Sequence, residues 1–181
     1  MHSADDILTF WFVDHDRSHW FGGGPEFDAE LTARFADTHA AVARGEAWTW
    51  RRTPLGRLAE VLVLDQFSRQ IHRGTARAFA QDPMALALAQ EAVAAGHDQV
   101  LEPKPERMFL YLPYMHSESI VVHEEAMRLY TSLGDEELLD FETAHRDVLR
   151  RFGRYPRRNE ALGRPSTPEE LEYCASDEGR W

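Results

Sequence analysis

A hydroxyl or acidic residue stands immediately before proline at Thr53-Pro54, Asp82-Pro83 and Thr167-Pro168. Such a pair opens a helix. The side-chain oxygen accepts an orphan amide of the first turn, and the proline sits where no amide is needed. Glycines recur where apolar stripes of helical spacing run out, at Gly45, Gly96, Gly134 and Gly153, the usual position of a left-handed C-terminal cap. No stretch alternates β-branched and polar residues as a half-buried strand does. A chain punctuated in this way is expected to be all-α, with eight or nine helices joined by short loops and packed as antiparallel pairs.

The individual elements follow from the same signals. Ser3 with Asp6 reads as a capping box ahead of the Ile7, Phe10 and Trp11 stripe. Gly22-Gly23-Gly24-Pro25 reads as a flexible turn, and without a following Gly-Lys-Ser/Thr it carries no phosphate-loop signature. Phe27, Leu31, Phe35 and Val42 mark a second helix. Thr53-Pro54 and Asp82-Pro83 open a third and a fourth, with each Thr or Asp as N-cap. Pro113 is expected to stop a short helix through Phe109 and Leu112. Ser117 is expected to cap a helix reaching Leu133, and the next spans 135–152. After a helical turn at 158–162, Thr167 and Glu170 form a second capping box.

At 181 residues and 43% hydrophobic content the chain is expected to form one domain, 1–181, with a substantial core. The net charge of -11 argues against general nucleic-acid or anionic-membrane binding. Cys174 is the one cysteine, so a disulfide framework is excluded. With no basic n-region before an apolar run, no secretion signal is expected, and a cytoplasmic location is the default expectation.

Three constellations carry chemistry. In 64–74, LDQFSRQIHRG, Asp65 and Arg69 are one helical turn apart and can pair, with Gln66 and Arg73 on a neighbouring line. A solvated ion pair near a helix C-terminus accounts for the same pattern. Residues 145–164, HRDVLRRFGRYPRRNEALGR, hold seven arginines against Asp147 and Glu160. Helix-dipole matching explains Arg150 and Arg151, but Arg154, Arg157 and Arg158 lie beyond the glycine stop. They are suited to an anion, a carboxylate ligand, or acids such as Asp65 and Asp82. In Tyr114-Met115-His116-Ser117-Glu118, His116 and Glu118 are either an acid–base pair or the approach to a helix. Glu142 and His145 form an E-x-x-H, but with no second copy the sequence supports no metal site and calls for no cofactor. No nucleophile elbow accompanies any of these.

The motifs LDQFSRQIHRG, ARAFAQD, FLYLPYMHSES, HRDVLRRFGRYPRRN and LGRPSTPEELEY, in this order from about Ile7 to the last helix, resemble the bacterial domain-of-unknown-function family 924. The resemblance implies an array of helix pairs of the tetratricopeptide-like, α-α superhelix kind. It carries over no reaction. It singles out Asp65, Gln66, Arg69, Arg73, Asp82, His116, Glu118, His145, Arg146, Arg154, Arg158, Asn159 and Arg164 as positions that match the family pattern. Gln70 and Arg157 depart from it, and Glu142 lies outside it.

These residues lead to a helical binding module as the first expectation. Its Arg-rich polar pocket would take a small anionic molecule or the acidic or carboxylate end of a peptide, through Asp65, Gln66, Arg69, Arg73, Asp82, His116, Glu118, His145, Arg154, Arg158, Asn159 and Arg164. A hydrolase using His, Asp or Glu with arginine charge stabilisation is the alternative, and so is a purely structural ion-pair network. The sequence itself does not decide whether the protein is an enzyme, nor its oligomeric state.

Overall fold

The computed structural model describes residues 1–179, and these form helices and turns with no strand. Ten helices are present among them, one more than the upper expectation. They are α1 (Ala4–Thr9), α2 (Arg17–Gly22), α3 (Gly24–Ala43), α4 (Pro54–Leu62, continued by Ser68–Ile71), α5 (Asp82–Ala94), α6 (Met108–Met115), α7 (Ile120–Ser132), α8 (Glu136–Phe152), α9 (Asn159–Leu162) and α10 (Pro168–Ala175). None is long and apolar enough to cross a membrane.

Several starts follow the capping chemistry. Ser3 and Asp6 form a capping box on α1, and Thr167 and Glu170 form one on α10. Thr53 accepts the Gly56 amide at 3.0 Å to open α4. Gly153, at φ 71°, closes α8 in the left-handed conformation that a Cβ disfavours. Asp135 caps α8 through the Leu138 amide.

Four expectations change. Asp82 does not cap α5. Gln81 occupies that position and the Asp82 carboxylate turns instead to two guanidiniums. Ser117 does not cap α7, which starts after Ser119; the Ser117 carbonyl accepts from His123. Pro113 lies inside α6 rather than ending it. The glycine run is a tight corner between α2 and α3, with Gly24 at φ 63°.

Helix α4 is the centre. It packs on α1, α5 and α6, while α7 lies between α6 and α8. The core joins Phe10 and Trp11, Phe35 on α3, Leu58, Leu62 and Phe67 from the α4 run, and Phe109 and Tyr111 on α6. A smaller cluster of Val148, Leu149, Tyr155 and Tyr173 seats α10 against α8. The α1 and α4 runs each contain a five-residue π turn, Phe10–Asp14 and Val63–Phe67. Such turns shift the side chains that follow around the helix axis and frequently mark functional sites.

Candidate functional site: a cleft with a buried polar end

A cleft of about 1610 Å3 lies between α2, the first half of α3, the end of α4, α6 and α8. Its apolar lining comes from Trp20 and Phe21 on α2, Met108 and Leu112 on α6, and Leu138 and Phe141 on α8. Around its charged rim Arg17 pairs with Glu137, Arg73 with Asp28, and Lys104 with Asp135. Its buried polar groups are Gln66, Gln70, Tyr130 and His145, with the largely buried Arg69 and His116 beside them.

The π turn Val63–Phe67 carries Asp65 and Gln66 into the interior. Asp65 Oδ1 lies 2.7 Å from His116 Nδ1 and 3.2 Å from an Arg69 nitrogen, and Oδ2 accepts from Gln66 Nε2 at 2.6 Å. Burial pushes the Asp65 carboxyl up, but the Arg69 charge and the contact with His116 outweigh it and hold the group below the usual carboxylate range. Asp65 is therefore an acceptor, and His116 donates its Nδ1 hydrogen. Burial, then the nearby Arg69 charge, lower the His116 pKa against the opposing pull of Asp65. A neutral His116 with Nδ1 held by Asp65 keeps its lone pair on Nε2, and the residue lines the cleft.

Arg69 also forms a two-pronged pair with Asp82, at 2.8 and 3.0 Å. Arg158 reaches the same carboxylate at 3.3 Å and donates to the His116 carbonyl at 2.9 Å. Its guanidinium lies over the rings of Phe79 and Tyr155, 4.8 and 4.6 Å from their centroids. Burial, then Arg69, lower the Arg158 pKa. Two arginines and two aspartates thus balance in charge behind the imidazole.

A second network lies away from the cleft. Glu118 takes both prongs of Arg164, at 2.6 and 3.0 Å, and the Tyr155 amide at 2.9 Å. Arg164 also donates to Asn159 Oδ1, Asn159 donates to Glu170, and Glu170 pairs with Arg154 at 2.6 and 2.7 Å. Arg157 donates to the carbonyls of Tyr173, Cys174, Ser176 and Glu178, which end α10. These bonds fasten the C-terminal segment to the loop that precedes α7.

Residues 7–178 match the family of bacterial proteins of unknown function, DUF924. The chain belongs to this family. The solved structure of the protein of unknown function ATU0120 from Agrobacterium tumefaciens is similar to it, with 41% identity over 97% of each chain and a TM-score of 0.90. No curated protein matches the chain.

In this DUF924 protein the twelve residues expected at a site fall into three sets. Gln66, Arg69, Arg73, His116 and His145 line the cleft. Asp65, Asp82 and Arg158 do not line it but bond to residues that do, or to each other. Glu118, Arg154, Asn159 and Arg164 form the second network. Glu142 and His145 bond to different groups. Glu142 Oε1 lies 2.6 Å from His123 Nδ1, and the His145 ring bonds the Phe141 carbonyl at 2.7 Å. No group of three or more potential metal ligands stands together among the described residues.

The sequence reading did not single out Tyr130, whose ring is wholly buried and whose hydroxyl is buried with no hydrogen-bond partner among the described residues. It also lines the cleft. Nothing in its local sequence separates it from the core residues of α7. A lone tyrosine on an apolar stripe was the available signal.

Proposed function

We propose that this protein binds an elongated, mainly apolar small molecule ending in a carboxylate, with the carboxylate set against His116 and Arg69. The observation that carries the reading is the make-up of the cleft: apolar side chains along its walls, and an imidazole beside a guanidinium among its buried groups. A hydrocarbon chain gains about 0.8 kcal/mol for each CH2 moved out of water. Arg17, Arg69, Arg73 and Lys104 line the cleft, each already paired with a carboxylate. Asp82 and Asp65 already compensate Arg69, so an arriving carboxylate is best balanced when His116 takes up a proton. Binding then weakens as pH rises past the His116 pKa of the complex.

Decanoate and decanol, compared by thermal shift and calorimetry, test this. The filling variant Ala33→Trp narrows the cleft from the exposed face of α3, at a residue that lines it and carries no polar side chain. Decanoate at about 100 times its Kd adds about 2.7 kcal/mol of stability, which is about 5–11 °C in Tm for a chain of this size. Decanol is expected to bind more weakly, and the variant to bind neither. Equal stabilisation of wild type and Ala33→Trp, or none of wild type, overturns the proposal.

A further inference from the structure

We infer that the same cleft hydrolyses esters of apolar acyl chains, with water as the nucleophile, His116 as general base and the Tyr130 hydroxyl as oxyanion donor. The inference rests on the binding reading above, since the acid it releases is the proposed ligand.

Two independent features point to it. The first is the Asp65–His116 pair. A buried carboxylate 2.7 Å from Nδ1 fixes the ring and its tautomer, leaving the Nε2 lone pair for the cleft. This is the requirement for a positioned base. The second is Tyr130. A wholly buried hydroxyl without a partner forgoes about 1–3 kcal/mol, and this one, unpartnered among the described residues, belongs to a residue lining the same cleft. An O–H donor is what a negative charge developing on a carbonyl oxygen needs.

The aliphatic hydroxyls at and behind the cleft are already engaged. Thr32 lines the cleft but donates to the Asp28 carbonyl at 2.6 Å, and the buried Ser68 donates to the Leu64 carbonyl at 2.6 Å. Neither is placed as a nucleophile. A water hydrogen-bonded to Nε2 attacks the acyl carbon and gives its proton to Nε2. The carbonyl π pair moves to the oxygen, which accepts from Tyr130. Collapse breaks the bond to the ester oxygen, and the alcohol leaves with the proton from Nε2. The carboxylic acid then ionises, and its carboxylate faces Arg69 and His116 until released.

The test uses the full chain with p-nitrophenyl decanoate and p-nitrophenyl acetate, alongside decanoate binding. The decanoyl ester should turn over faster, with kcat rising with pH along a limb set by His116. His116→Ala should lower kcat about 10²–10⁴-fold. Tyr130→Phe should lower kcat about 10²–10³-fold with KM and decanoate affinity nearly unchanged, a split that a merely structural tyrosine would not produce. Circular dichroism checks that both variants are folded. If decanoate binds but the wild type hydrolyses neither ester above the His116→Ala background, this inference falls and the binding reading stands. If decanoate does not bind, the binding reading falls. Equal kcat in wild type and Tyr130→Phe removes Tyr130 from the mechanism as stated.

Discussion

Replacing Asp82 by asparagine removes one negative charge at the point where two guanidiniums meet. Arg69 holds that carboxylate by two bonds and Arg158 by one, and the side chains of Arg69, Asp82 and Arg158 are only 18%, 17% and 14% exposed. Both guanidiniums also lie over the Phe79 ring, at 5.7 and 4.8 Å, so neither swings freely into water when its partner goes. Breaking one side of a buried pair costs about 3–5 kcal/mol because an uncompensated charge stays behind. Residual exposure places this site near the lower figure, about 3 kcal/mol. For a chain of this length that is about 6–12 °C in Tm. Urea unfolding followed by circular dichroism measures the loss, and a double-mutant cycle with Arg158→Met locates it. Removing both partners should cost less than the sum of the single losses, by about 1 kcal/mol or more. A loss below about 1 kcal/mol for Asp82→Asn, or strict additivity, would refute the view that this carboxylate holds the two arginines in place.

Two further outcomes follow from the same structure. Burial pushes the His145 pKa down to about 3, and burial with the neighbouring His72 and Arg77 charges pushes His39 down to about 4. The unfolded chain therefore takes up protons that the folded chain does not. Stability is full above about pH 6.5 and falls as pH drops toward 4 and 3, by at most ~1.4 kcal/mol per pH unit for each group. Unfolding free energies at pH 7 and pH 5 check this, and equal or greater stability at pH 5 contradicts it. Gly56→Ala tests the opening turn of α4, where a new Cβ would lie 2.1 Å from the Trp50 carbonyl oxygen and 2.9 Å from the capping Thr53 hydroxyl. A loss of about 1–3 kcal/mol is expected, read as a shift in urea midpoint; no loss would mean that the turn relaxes freely.

Much of the fold was legible in the sequence because helix ends are local. Ser3, Thr53, Thr167 and Gly153 act within a few residues of themselves, and each does what its neighbours imply. Asp65 with Arg69 was legible for the same reason. Asp82 was legible as an acid for the arginine cluster, but its reading as a helix cap failed because an acid beside a proline looks like helix-start chemistry. Which arginines meet Asp82 and Glu118 was not legible, since Arg69, Arg158 and Arg164 lie far along the chain. Local rules give no weight to such partners. The cleft was illegible for another reason. Trp20, Leu112, Leu138 and Tyr130 sit on stripes of helical spacing, and the pattern that buries a side chain against a helix is the same as the one that faces it into a cavity. The π turn under Asp65 and Gln66 left no mark in the residue pattern either.

The most direct measurement is the protonation state of His116 during titration with decanoate. Nitrogen-15 NMR of the histidine rings reads it, with His116→Gln assigning the resonance among the nine histidines of the chain. The account predicts a neutral ring in the free protein, with Nδ1 protonated toward Asp65, and an imidazolium once decanoate saturates, accompanied by net proton uptake in calorimetry. Decanoate binding that leaves His116 neutral and its resonances unmoved would contradict the account, as would the absence of binding.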